Sequence, residues 1–251
     1  MKPIPHYLAA FTLTFFVSAA TAAQAGEYTS KVRTTDVLEL FTSEGCSSCP
    51  PADRWFTTLK DKSDVFDDFI PLAFHVDYWN YLGWNDRFAS SDYSDRQRRH
   101  VAAGNVRQSY TPGVVLNGEE WRGHLRGVRQ WDAAGKRAGI LKAVLGDDNK
   151  LAVNFSPASA DYFSQQELTL NVAYLGMGLE TAVKRGENAG RTLRHDFVVL
   201  HHHQERVDAQ AQKWRLQLGT APDEGQQQTA IAVWLSEPDT QKIIQATGGY
   251  L

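Results

Sequence analysis

The chain has 251 residues and only two cysteines. Two are too few for a scaffold held together by disulfides. They also leave no second Cys-x-x-Cys pair, so a zinc site would need other ligand types. After the first 25 residues, no run is apolar enough to span a bilayer. Positive charge is not in excess. Lys and Arg total 26 against 29 Asp and Glu, a formal net charge of −3, which is no electrostatic footprint for nucleic acid. There is no internal repeat, and Gln226-Gln227-Gln228 is too short for a low-complexity tract.

The first feature present is a leader. Lys2 is basic, Tyr7 to Ala20 is apolar and uncharged, and Ala23-Gln24-Ala25 is an A-x-A cleavage site before Gly26. Residues 1–25 therefore read as a signal peptide. The apolar run is too short for a stable membrane span, so a secreted or periplasmic product is expected. Losing Lys2 and no acid moves the net charge from −3 to −4. About 226 residues remain, enough for one large domain or two small ones. An oxidising compartment would let a Cys46–Cys49 disulfide persist.

Val37 to Phe41 (VLELF) is a short apolar run that predicts a buried strand. The stretch FTSEGCSSCPPAD follows. Pro50 and Pro51 lack amide donors and suit only the first turn of a helix, which Trp55, Phe56 and Leu59 then continue. Phe69 to Val76 predicts a second strand, and the aromatic loop DYWNYLGWNDRF comes next. Ser91 to Ala103 predicts a helix ending before Gly104. Gly113 to Leu116 predicts a third strand, and Asn117-Gly118 turns it into a fourth at Glu119 to Arg122. Val128, Trp131, Ala138, Leu141 and Leu145 recur at helical spacing. The order β-α-β-α-β-β-α predicts an α/β thioredoxin-like fold over residues 26–147.

Beyond Gly146-Asp147-Asp148-Asn149 the pattern changes. Leu151 to Phe155, Glu167 to Tyr174, Phe197 to His203, Lys213 to Leu218 and Thr229 to Leu235 predict strands. Loops rich in Gly, Ser, Pro, Asp and Gln separate them. An appended antiparallel β-sandwich-like domain is expected over residues 148–251.

The cysteine pair admits three readings: a redox centre, a structural disulfide, or part of a metal site. In the redox reading the helix start favours thiolate, Cys46 is the nucleophile and Cys49 resolves. Ser47 and Ser48 can donate to the Cys46 thiolate, while Glu44 opposes its charge. A thioredoxin-like frame would also set a cis Thr111-Pro112 bond beside the pair, to align an extended substrate. Asp77 follows the second strand at the same sheet edge and is a candidate proton acceptor for Cys49, or a loop cap. Trp79, Tyr81 and Trp84 form either an aromatic wall over the sulfurs or ordinary loop packing. Trp79, Trp84 and Tyr110 are the candidate substrate-binding residues.

His75, inside an apolar strand, reads as a hydrogen-bonded core histidine. His195, His201, His202 and His203 raise a copper or zinc alternative. On a strand, His201 and His203 share a face and His202 points the other way, and histidines on a half-exposed sheet are the favoured reading. Gly186 to Arg191 reads as a tight polar turn in which Arg191 and Arg194 hold an anion or pair with Glu187. Arg96, Arg98 and Arg99 read as a solvated helix face.

Four separated blocks carry a family resemblance: LELFTSEGCSSCPPAD, LAFHVDYWNYLGWNDRFAS, QRRHVAAGNVRQSYTPGVVLNG and GENAGRTLRHDFVV. Together they resemble a family of exported bacterial proteins catalogued as a thioredoxin-like domain of unknown function, from about residue 35 to near the C-terminus. The resemblance implies a thioredoxin-like domain with a β-rich addition, and no substrate. The expected activity is thiol–disulfide exchange with protein or small-molecule thiols and disulfides, needing no organic cofactor. The alternative is a non-catalytic partner-binding or copper/zinc-binding protein on the same scaffold.

Overall fold

The computed structural model describes residues 25–128, 130–159 and 167–251. Apart from Ala25, the expected signal peptide lies outside the described residues. In chain order the elements are β1 (Gly26–Thr29), β2 (Asp36–Thr42), α1 (Pro50–Leu59), β3 (Phe69–His75), α2 (Ser91–Ala102), β4 (Gly113–Leu116) and β5 (Glu119–Glu120). There follow β6 (Gly139–Leu145), β7 (Lys150–Pro157), β8 (Glu167–Met177), β9 (Leu179–Ala182) and β10 (Thr192–His195). The last are β11 (Val198–Asp208), β12 (Lys213–Gln217), β13 (Gln228–Ser236) and β14 (Ile243–Tyr250).

One eight-stranded sheet runs in the order β14-β13-β8-β11-β3-β2-β4-β5. β3 is parallel to both β2 and β11, and the other pairs are antiparallel. Every residue of β2 and β3 is buried, as expected of strands covered on both faces. Thr42 bonds Asp53 of α1, whereas Glu39 receives Arg96 of α2. Residues three apart on a strand point to opposite faces, so the two helices cover opposite sides of the sheet. A second antiparallel sheet, β1-β6-β7-β12, packs Leu141, Phe155 and Trp214 against Leu170, Val172 and Val233 of the large one.

Local chemistry explains both helices. Pro50 and Pro51 open α1, where missing amides cost nothing, and Ala52, Trp55, Phe56 and Leu59 form its buried stripe. The Ser90 hydroxyl caps α2 by accepting from the Asp92 amide at 3.2 Å.

The expected α/β thioredoxin-like fold with a separate sandwich domain is not what the chain forms. Among the described residues there are fourteen strands and two α-helices, so the molecule is mostly β. The expected third helix near residues 128–145 is a loop followed by β6. Leu141 and Leu145 are four apart, a spacing that satisfies period 2 as well as a helix turn. Gly139, Leu141, Ala143 and Leu145 are in fact the buried face of an alternating strand. The later strands do not build a sandwich of their own either. β8, β11, β13 and β14 extend the sheet that holds β2, β3 and β4.

Candidate functional site

β2 delivers the chain to one edge of the large sheet. Ser43, Glu44 and Gly45 follow, then the Cys46–Cys49 disulfide, with Cys49 at the N-cap of α1. The Cys49 carbonyl accepts from the amides of Ala52 (2.8 Å) and Asp53 (3.2 Å). Cys46 is 2 % exposed and Cys49 is sealed, while Ser47 and Ser48 are open to solvent. The Ser48 hydroxyl lies 3.3 Å from Cys46 Sγ. Two nearby amides are engaged: Cys49 N donates to Cys46 O, and Ser47 N to Glu187 Oε2 at 3.1 Å. Backbone donors at this helix start are therefore scarcer than an ordinary N-terminus would supply.

The β9–β10 turn clasps this loop. Buried Asn188 donates to the carbonyls of Glu44 and Cys46, and Arg191 holds the Asn188 Oδ1 at 2.9 Å. Gly186 and Gly190 take left-handed φ of 75° and 79°, which the tight turn requires. Arg191 thus serves Asn188, and Arg194 pairs with Glu180, so neither pairs with Glu187.

The aromatic loop lies against the same segment. Trp84 Nε1 donates to Glu44 Oε2, and Trp79 Nε1 to Thr111 Oγ1, both at 2.7 Å. A Cβ at Gly45 would stand 3.0 Å from Trp79 Cβ, so the loop comes that close to Trp79 only without a side chain. The Thr111–Pro112 peptide is cis. Gly113 pairs with Phe41, which sets this bond beside the end of β2. Tyr110 turns away to Glu120 through its hydroxyl, and Tyr81 is 77 % exposed. Asp77 is held by α2: Ser94 Oγ donates to its Oδ1 at 2.5 Å.

Beneath the cysteine loop is a cluster of ionisable side chains, Glu44, Asp53, His75, Asp86 and His195, none more than 6 % exposed. His75 Nδ1 and Asp86 Oδ2 are 2.7 Å apart. Asp86 also accepts from the amides of Glu44 and Phe88. His195 Nε2 is 3.3 Å from Glu44 Oε1, and the two imidazole rings meet edge to face at 4.9 Å. Thr42 Oγ1 donates to Asp53 Oδ1 at 2.7 Å. Burial raises the Asp53 pKa, although the His195 and His75 charges oppose it. For Asp86 burial acts in the same direction, but the His75 charge and hydrogen bonds outweigh it and hold the carboxyl below its ordinary value. Burial disfavours charged His75, yet Asp86 keeps it above its ordinary value.

Sequence reasoning missed Asp53, Asp86 and Asn188. Asp53 had a signal, since a carboxylate one turn after Cys49 falls on the buried stripe of α1. Asp86 and Asn188 had none, because long-range pairing alone brings them to the cysteines.

The remaining histidines are placed otherwise. His202 stacks on Trp234 and faces Asn171 Oδ1, and burial together with Arg96 keeps its pKa well below the ordinary value. His203 sits 3.6 Å from Glu205. Among the described residues no group of three or more His, Cys, Asp or Glu converges as a metal site. Arg96, expected on a solvated face, is 2 % exposed and bidentate on Glu39. No helix among the described residues is long and apolar enough to cross a membrane.

Residues 37–236 match a family model described as a protein of unknown function, DUF1223. The solved structure of protein AGR_C_4864 from Agrobacterium tumefaciens is similar at 23 % identity and a TM-score of 0.58, covering 87 % of this chain and 95 % of that one. HBP35 of Porphyromonas gingivalis is similar at 15 % identity and a TM-score of 0.53, covering 88 % of this chain and 76 % of that one. At these identities the likeness is one of fold. No curated protein matches the chain.

Proposed function

The chain belongs to the DUF1223 family of proteins of unknown function, and for this member we propose thiol–disulfide exchange at Cys46 and Cys49 in an oxidising, exported setting. One observation carries the reading. The disulfide sits at a helix start, beside a buried cluster of five titratable side chains. Such clusters concentrate where charge must be moved.

In the reductive direction, a partner thiolate attacks Cys46 Sγ. The Cys46–Cys49 bond breaks, and Cys49 leaves as a thiolate that takes up a proton. The partner's second thiolate then attacks its own mixed-disulfide sulfur and expels Cys46. Two electrons pass to the protein, and the partner is left as a disulfide. The reverse sequence oxidises the dithiol. Asp53, whose amide binds the Cys49 carbonyl, is the group we assign to exchange that proton. It takes the role first considered for Asp77, whose carboxylate is engaged by Ser94. Attack on a sulfur that is 2 % exposed requires the Ser47-Ser48 segment and the Asn188 turn to give way. Trp79, Trp84 and the Thr111-Pro112 segment flank that approach.

The test is trapping. Reduced Cys49→Ser protein mixed with a small disulfide should hold a mixed disulfide on Cys46 that thiol reagents release. No adduct on Cys46 in the correctly folded variant would overturn the proposal.

A further inference from the structure

On the other face of the large sheet, beside α2, lies a cavity of about 230 Å³. Arg96 and Arg99 of α2, Asn171 of β8, Glu205 and Arg206 of β11 and Gln241 of the β13–β14 turn line it, and the Glu205 carboxylate lies 3.6 Å from His203. The cysteine pair and α1 pack on the opposite face, so the cavity is separate from the proposed redox centre.

Its polar groups are unequally satisfied. Arg96 is committed to Glu39 and lies over the Phe74 and Trp234 rings. Arg206 reaches outward to Glu167 and Asp239. Asn171 and Ser236 bond each other at 3.2 Å. Arg99 has no ion-pair partner among the described residues; burial, and then the neighbouring Arg96 charge, lower its pKa. Gln241 is 6 % exposed, and neither its Oε1 nor its Nε2 has a hydrogen-bond partner. A buried amide with both ends unpaired is uncommon in a native fold and calls for an occupant.

We infer that this cavity binds a small oxyanion that also carries a hydroxyl group, held between the Arg99 guanidinium and the Gln241 amide. The guanidinium and Gln241 Nε2 donate to the anionic oxygens. Gln241 Oε1 accepts from the ligand's O–H, which an anion without a proton to give cannot satisfy. Hydrogen phosphate and a 2-hydroxycarboxylate both carry this combination, and both fit the volume.

Gln241 permits a clean variant. Its φ is 57°, a left-handed value that glycine adopts freely. Gln241→Gly therefore removes the amide without opposing the turn. Calorimetric titration of the full chain at neutral pH would use inorganic phosphate, lactate and sulfate. Phosphate or lactate should bind one per chain, at least about tenfold more tightly than sulfate. The arm that binds identifies the ligand as phosphate or hydroxy acid. Gln241→Gly should lose about tenfold or more in affinity with no fall in Tm, and the surface variant Arg99→Gln should lose as much. The inference is overturned by no heat and no Tm shift with either anion at about 10 mM. Sulfate binding as tightly as the others, or unchanged affinity in both variants, would overturn it equally.

Discussion

Asn188 donates from one amide nitrogen to the carbonyls of Glu44 (2.8 Å) and Cys46 (2.9 Å), 144 and 142 residues away along the chain. The β9–β10 turn is thereby part of the cysteine loop, and the late half of the sequence controls access to the sulfurs. Asn188→Ala strands two buried carbonyls and should cost about 1–3 kcal/mol. Urea midpoints measure that loss. Reduction of the folded variant by dithiothreitol should be faster than wild type, because the clasp over Cys46 is gone.

The His75–Asp86 pair gives stability a definite pH shape. His75 is held above its ordinary 6.5, so its contribution is full below that value and fades as pH rises through the folded pKa. Asp86 is held below its ordinary 3.8, so its contribution is present above that value and fades as pH falls through the folded pKa. Asp53, raised by burial, has the opposite slope to Asp86: its contribution is full below its ordinary 3.8 and is lost as pH rises through the folded pKa. Glu44 and His195 complete the charged surroundings. The pair's contribution to unfolding free energy should therefore be greatest between about pH 4 and 6.5 and fall above it. Asp86→Asn leaves His75 without its partner and should cost about 3–5 kcal/mol. The same variant should abolish the decline above pH 6.5, as read from urea midpoints across a pH series.

Ser48 is the neutral donor nearest Cys46 Sγ, at 3.3 Å. In the reduced protein its hydroxyl favours the thiolate. Ser48→Ala should raise the apparent pKa of Cys46 by about one unit, the worth of one hydrogen bond to a charged group. Glu44→Gln removes a buried negative charge but keeps an acceptor for Trp84, and should shift the pKa down. Iodoacetamide reaction rates against pH measure both shifts, and a shift of the opposite sign in either variant would contradict the assignment.

Asp53→Asn tests the proton route. The amide can still accept from Thr42, so the helix start keeps its hydrogen bond. Turnover of a small disulfide should slow on the order of 10²-fold, with loss of the limb of the pH profile that the carboxyl supplies. A purely structural Asp53 would change stability and leave the profile of the folded protein unaltered.

Much of the local structure was legible in the sequence. The run VLELF, the double proline after Cys49 and the stretch from Ser91 to Gly104 each carry their own local cause, and the strand and helices they predict are present. The Leu141–Leu145 spacing misled because it fits two periods, and only the partner strand decides between them. The overall sheet was not legible, because β11 meets β3 by pairing Val198 with Ala73, from opposite halves of the chain. The site divides in the same way. Cys46, Cys49, Glu44 and Ser48 could be read from one stretch, while Asp86, Asn188 and His195 reach it through loops and a hairpin that no local pattern connects.

The central claim is that the Cys46–Cys49 bond opens and closes within the folded protein. A redox titration of the native chain against dithiothreitol and glutathione buffers, with the thiols counted by alkylation and the fold followed by tryptophan fluorescence, tests it most directly. One reversible two-electron transition is expected, with the fold retained on both sides. A disulfide that resists reduction until the chain unfolds would contradict the claim and leave the bond as a staple.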